Sequence, residues 1–278
     1  RRFELCVITA LIRNTIITTF DLPNSVRNIS LAAFYACSSL TIFNIPQDSR
    51  LYLIDQSAFY QTTIISLNLP SSLVTIGSNA FYQCFSLSIL TIANESKMKV
   101  IDNYAFYQTA LSSLILPKEV EYIGGYSFAE CARMTTLTIP SDSKLNIIGE
   151  YSFYKTSIAS VVISANVELI VRNAFNKCLQ LKIVNMANAF KLEAIGESSF
   201  AENTLLTTVL IPESLILIDS LAFNGCTSLS NVTIPSNSQL VSIGDSSFYS
   251  TAIKTILIPK SVITIGKFSF KYCSDLTS

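Results

Sequence analysis

Six cysteines, Cys37, Cys84, Cys131, Cys178, Cys226 and Cys273, recur at near-constant spacing along the chain, and a polar stripe, Gln56, Asn103, Glu150, Glu197 and Asp245, recurs between them. Evenly spaced thiols are the raw material of a disulfide framework or a metal array, and evenly spaced carboxylates of a calcium site. The chain contains no His at all. That removes the commonest general base and metal ligand, so serine–histidine and cysteine–histidine nucleophiles and His-ligated zinc or iron sites cannot be built. Whether the thiols and carboxylates can meet depends on the elements that carry them.

Those elements are repeats. A small residue followed by Phe recurs at Phe34, Phe59, Phe81, Phe106, Phe128, Phe153, Phe175, Phe200, Phe223, Phe248 and Phe270, at intervals of 25, 22, 25, 22, 25, 22, 25, 23, 25 and 22 residues. Five or six residues after each Phe an apolar residue opens a segment such as Leu111 to Pro117 or Leu206 to Pro212, which reads as a short strand. Further apolar residues precede each Phe by eight and five positions, as at Val26 and Ile29 or Val120 and Ile123. Periods of this length with one strand each are the signature of a leucine-rich repeat solenoid, whose coils bury their apolar faces only against their neighbours. The expected fold is one parallel strand per coil of 22 to 25 residues in about eleven coils, forming a single domain over residues 1–278. All eight prolines fall where a strand should end, because Pro has no amide to extend the ladder. Residues 1–17 fit a degenerate first coil, with Ile12 in the Phe position, Thr15 three later and Ile17 opening a strand. Without an initiator Met, a signal peptide or terminal caps, the chain reads as a fragment of a longer array.

This geometry decides the chemistry. Each of the six cysteines follows a repeat Phe by three residues, in alternate coils only. Residues two coils apart lie roughly 10 Å from each other in a parallel stack, whereas a disulfide needs Cα atoms within about 7 Å. Small buried hydrophobes on the spine are therefore expected, alternating with Thr15, Thr62, Thr109, Thr156, Asn203 and Thr251, which can hydrogen-bond turn backbone. The acidic stripe is just as widely spaced, too sparse for calcium, and reads as a solvated turn. No phosphate-binding glycine loop occurs, so no cofactor or metal is expected. The tyrosines at 35, 60, 82, 107, 154 and 249 follow the repeat Phe directly and read as rims of the core rather than stacking platforms, because no basic groove lies beside them.

Phe81 to Cys84 (FYQC), Leu229 to Pro235 (LSNVTIP) and Val262 to Phe270 (VITIGKFSF) resemble the BspA-like leucine-rich repeat, and the resemblance covers essentially the whole chain. It implies a curved right-handed solenoid with a parallel sheet on one face, and a role in adhesion to host proteins and other cells. The sequence departs from the family pattern at Asp55, Asp102 and Asp219, which replace a turn Gly, and at Ala93, Ser164 and Ala187, which replace Pro. The family brings no catalytic residues, so none is assigned and the chain is not expected to be an enzyme.

Partner class follows from charge. Nineteen basic and nineteen acidic residues, with 14% charged overall, leave no footprint for nucleic acid or anionic membrane. No apolar stretch approaches the roughly 20 residues that span a bilayer. A protein partner is expected at the exposed face of the sheet, whose outward columns include Thr18, Thr41, Ser88, Ser112, Thr135, Lys182, Thr207, Ser230 and Lys254, followed by Asn44, Asn68, Thr91, Thr138, Asn185 and Thr233. In alternate strands the last outward position is apolar, at Ile115, Val162, Leu210 and Leu257, which would form the anchors of a binding face. The leading reading is a recognition module of an adhesive protein at the cell surface. An intracellular scaffolding repeat is the alternative, because the unpaired thiols and the missing leader leave it open. Sequons at Asn28, Asn94 and Asn231 favour secretion only weakly.

Overall fold

The computed structural model describes residues 7–8, 16–93 and 95–277. Cys6, Ile12, Thr15 and Asn94 lie outside the described residues.

The repeat Phe residues are the spine. From Phe34 to Phe270 the eleven rings stack one on the next, centroids 5.1–5.4 Å apart and planes within 10° of parallel. All but Phe270 are fully buried. Each ring fills the space beneath its neighbour, so no coil has a core of its own and burial is shared along the stack. Among the described residues there is no helix.

The structure corrects the expectation of one strand per coil, because most coils carry two. The residues six and five before each Phe, from Asn28–Ile29 to Thr264–Ile265, form two-residue strands that join with Val7–Ile8 into a continuous parallel sheet of twelve. Such dipeptide strands are too short to show any alternation of polar and apolar residues. The segments after each Phe form the second, longer-stranded sheet, which breaks into sets Thr19–Asp21 to Ile89–Ile92, Ser113–Ile115 with Thr136–Thr138, and Ser160–Val162 to Asn231–Thr233. Pro70 directly follows a strand, and six more prolines stand two residues past a strand's last residue. Six of these carbonyls then accept a turn hydrogen bond from the amide three residues on, as from Val120 to Pro117 and from Ser143 to Pro140.

Between the two sheets lies a third ladder. In every coil the residues two before and two after the repeat Phe have φ between +53° and +71°, and only Gly225 among these is glycine. Left-handed φ costs an L-residue roughly 1–2 kcal/mol. The conformation is held because it aims alternate amides at the next coil: Tyr126, Phe128 and Glu130 donate to the carbonyls of Glu150, Ser152 and Tyr154. Where the longer sheet is continuous, each coil is thus clamped to the next on three sides. The turn glycines serve close approach instead: a Cβ on Gly124 would sit 2.5 Å from the backbone of Asp102 and Asn103.

The breaks in the longer sheet follow coil length. In coils carrying Cys, three residues lead from the Phe to the thiol and three more to the first buried strand residue, closed by a turn such as Leu87 N–H to Cys84 O. Coils carrying Thr are one residue shorter at this corner, as in Thr109-Ala110-Leu111. Strands after a short corner pair with the following strand, as Ser113 does with Thr136, but lose their ladder to the preceding one: Ile42 to Ser66 is a lone pair, and Ile89–Ile92 and Ser113–Ile115 are unpaired. The Asn203 coil keeps the extra residue, Thr204, and there the ladder Ile183↔Thr208, Val184↔Val209, Asn185↔Leu210 is complete.

Candidate functional site

Within each longer strand the apolar positions open with a spacing of three, as Leu111 and Leu114, so two consecutive residues between them face outward before alternation resumes. The exposed face therefore has three columns. Ile115, Val162 and Leu257 are exposed, by 70%, 54% and 63%, and Leu210 is half-buried. Parallel register places Val162, Asn185, Leu210 and Thr233 in one row across four strands, and sets Ile115 beside Thr138. The four residues named from the sequence are accordingly separated from one another by polar neighbours.

What the sequence reading missed is the middle column. Ile42, Ile89 and Ile183 stand there, exposed by 49%, 57% and 46%. Register sets Ile183 between Ser160 and Thr208, one diagonal step from both Val162 and Leu210, so these three side chains make an apolar zigzag across three strands. The signal was the spacing of three between buried strand residues, which strict alternation cannot satisfy.

A hollow of about 510 Å³ opens at the break between Ile89–Ile92 and Ser113–Ile115, with Ile115 in one wall, Thr91 in the other, and Lys118 and Asp142 at one end. A second hollow of about 520 Å³, lined by Asn68, Pro70 and Ile45, shares Thr91, Ile92 and Ala93 with it. Ala93, at a position where most coils carry Pro, lines both hollows.

The candidate chemical groups lie elsewhere, and none converges. The six cysteines are buried. Their thiols face inward: Cys84, Cys131 and Cys178 each donate to the carbonyl of the Phe in the preceding coil at 3.0–3.1 Å, beside a Thr hydroxyl at 3.2–3.3 Å. Burial pushes Cys131 up to about 11 and Cys84, Cys178 and Cys226 up to about 12, so none is a nucleophile near neutrality. In the acidic stripe Glu150 is bridged by Arg172, and Asp245 accepts the amide of Lys267 at 2.7 Å. Among the described residues no three His, Cys, Asp or Glu side chains group together.

Tyr35, Tyr60, Tyr82 and Tyr107 stack on each other at 4.6–4.9 Å, as do Tyr104, Tyr126 and Tyr151. Their ring faces are covered by one another, which leaves edges rather than platforms for a ligand. A row of amides beside them, Gln61 to Gln83 to Gln108 to Glu130, is linked at 2.7 Å per step. The Gln108 amide and then Lys155 hold the Glu130 carboxyl below its ordinary range. Of the sequon residues, Asn28 donates to the Tyr52 hydroxyl, while Asn231 is exposed on the sheet face.

Stacked coils of 22 to 25 residues, with parallel sheets and a shared apolar spine, define a leucine-rich repeat solenoid. The pattern of the BspA type leucine rich repeat region matches residues 10–98, 99–209 and 193–278. The chain belongs to the BspA-type leucine-rich repeat family. Its fold is similar to that of a leucine-rich repeat protein from Bacteroides ovatus, with 26% identity over 94% of this chain and 77% of that one and a TM-score of 0.59. It is likewise similar to one from Eubacterium ventriosum, at 19% identity over 94% and 84% of the two chains and the same TM-score, 0.59. No curated protein gives a significant match. Leucine-rich repeats are in general protein–protein interaction modules, and among the described residues no helix is long and apolar enough to cross a membrane.

Proposed function

We propose that the chain is a non-enzymatic recognition module of an adhesive cell-surface protein, which binds proteins of a host or of neighbouring cells through the exposed face of its longer-stranded sheet. The observation that carries this reading is the zigzag Val162, Ile183 and Leu210, three apolar side chains held outward on a nearly uncharged face by strands that burial elsewhere makes rigid. Membership of the BspA-type family supports it. A rigid face with a few apolar anchors binds at little conformational cost, and such anchors dominate affinity.

Two measurements test the reading. An antibody against residues 16–277, applied to intact and to permeabilised cells making the full-length protein, should stain both; staining only after permeabilisation would replace the surface role by intracellular scaffolding. Binding of the repeats to host cells or matrix proteins should be lost in the Val162→Lys/Leu210→Lys variant while its circular dichroism stays that of the parent. Unchanged binding would remove the sheet face as the site.

A further inference from the structure

We propose that this face takes an extended segment of a partner protein with an apolar side chain about every third residue and carboxylates between them. The proposal rests on the sheet face being the binding site and specifies the partner's chemistry.

Charge placement is the first argument. The whole chain balances nineteen positive against nineteen negative residues. On the sheet face that balance fails. Between Ser112 and Leu257 the outward columns hold two charged residues, Lys182 and Lys254, and no carboxylate. Both lysines are exposed, and among the described residues neither ammonium has an ionic partner. The acid toward the other end, Asp21, accepts the Asn44 amide at 2.7 Å. The ion pairs among the described residues, Lys99 with Glu121, Lys144 with Glu119, Lys155 with Glu130 and Arg172 with Glu150, all lie off this face. A basic partner would meet two like charges and gain no ion pair, whereas an acidic one meets two free ammonium groups.

Spacing is the second. Val162 and Leu210 are two strand steps apart in one row, and Leu257 holds the equivalent position two coils further on. Two steps are roughly 10 Å, and an extended chain lying across the strands covers that in about three residues. Lys182 and Lys254 are three coils apart, on the order of 14 Å or more, because the last step crosses to a segment that has no strand ladder to Asn231–Thr233. Asn185 and Thr233 stand between the apolar anchors, where they can bond a main chain passing over them. Lys182 adjoins Ile183 in sequence, and Lys254 shares its segment with Leu257.

The test uses short fluorescent peptides with Leu at every third position and Asp in the intervening ones, against a matched set with Lys for Asp and another with Ser for Leu. The Asp peptide should bind the parent protein about tenfold or more tighter than the Lys peptide at low ionic strength, from two exposed ion pairs. The preference should shrink as salt is added. Lys182→Glu/Lys254→Glu should reverse the preference, and Val162→Lys/Leu210→Lys should abolish binding driven by Leu. Failure of every peptide to bind, or equal binding of the Asp and Lys peptides, overturns the partner chemistry. Persistence of the preference in the charge-reversed variant overturns it too. If binding survives in Val162→Lys/Leu210→Lys, the sheet face itself is not the site, which is a separate failure.

Discussion

Cys131 Sγ lies 3.2 Å from Thr109 Oγ1 and donates at 3.1 Å to the buried carbonyl oxygen of Phe106, which also accepts the Thr109 main-chain amide. The same arrangement returns two coils on, where Cys178 and Thr156 share the Phe153 carbonyl. A buried carbonyl left without a donor costs about 1–3 kcal/mol. The alternation of Cys with Thr, and once with Asn203, is therefore one hydrogen-bond motif spread over two coils.

These thiols set an alkaline limit on stability. Their folded pKa values, about 11 for Cys131 and about 12 for Cys84, Cys178 and Cys226, lie above the ordinary 9.0 because burial disfavours the thiolate. Above pH 9 the unfolded chain releases protons that the folded one keeps, so stability is whole below that pH and falls as pH rises toward 12. Tyr107, raised to about 12 chiefly by burial, adds to the fall from its ordinary value of 10.0. Denaturation midpoints measured from pH 8 to 11 should decline, and less so in Cys131→Ala/Cys178→Ala. A flat profile would mean that the thiols are not buried in the folded state.

The Phe stack predicts an asymmetry between adjacent residues. Phe153→Ala opens a cavity between Phe128 and Phe175 and should cost about 3–5 kcal/mol. Tyr154, half-buried and packed edge-on against Tyr151, should cost far less when changed to Ala. Comparable losses at the two positions in urea denaturation would contradict the spine.

Left-handed residues offer a gain. Lys177 has φ of +58° and an exposed side chain, while its amide donates to the Ala201 carbonyl. Lys177→Gly keeps the bond and removes the strain, offset in part by the greater freedom of Gly in the unfolded chain. A net stabilisation of about 0.5–1 kcal/mol is expected. Lys177→Val should destabilise. A Gly variant less stable than the parent in thermal melts would show that the turn holds no strain.

Much of the fold is legible in the sequence because solenoid geometry repeats each residue's environment every coil. The spacing of the Phe residues predicts the stack, and the alternate placement of the cysteines predicts thiols too far apart to bridge. What stays hidden depends on backbone rather than side-chain pattern. Tyr126, Glu130 and Leu221 adopt positive φ although nothing in their chemistry favours it, since the inter-coil amide ladder imposes it. Ile183 escapes notice as an exposed anchor because strict alternation along a strand would hide it, whereas the spacing of three between Leu181 and Val184 turns it outward.

The corner length makes the last prediction, one that links a single residue to the continuity of the sheet carrying the anchors. Thr204 is the additional residue that gives the Asn203 coil its long corner, and it is exposed, so its removal deletes no packing. Deleting it should convert this corner to the form seen at Thr109-Ala110-Leu111, where the ladder to the preceding strand is lost. The pairing of Ile183–Asn185 with Thr208–Leu210 should then open, while the two-residue strands Ala194–Ile195 and Leu217–Ile218 remain joined. Hydrogen exchange should show faster exchange for amides in 183–185 and 208–210 and unchanged protection at 195 and 218. The converse change, one residue inserted between Ala110 and Leu111, should slow exchange in Ile89–Ile92 and Ser113–Ile115. If the deletion leaves exchange at 208–210 as it was, corner length does not govern the breaks.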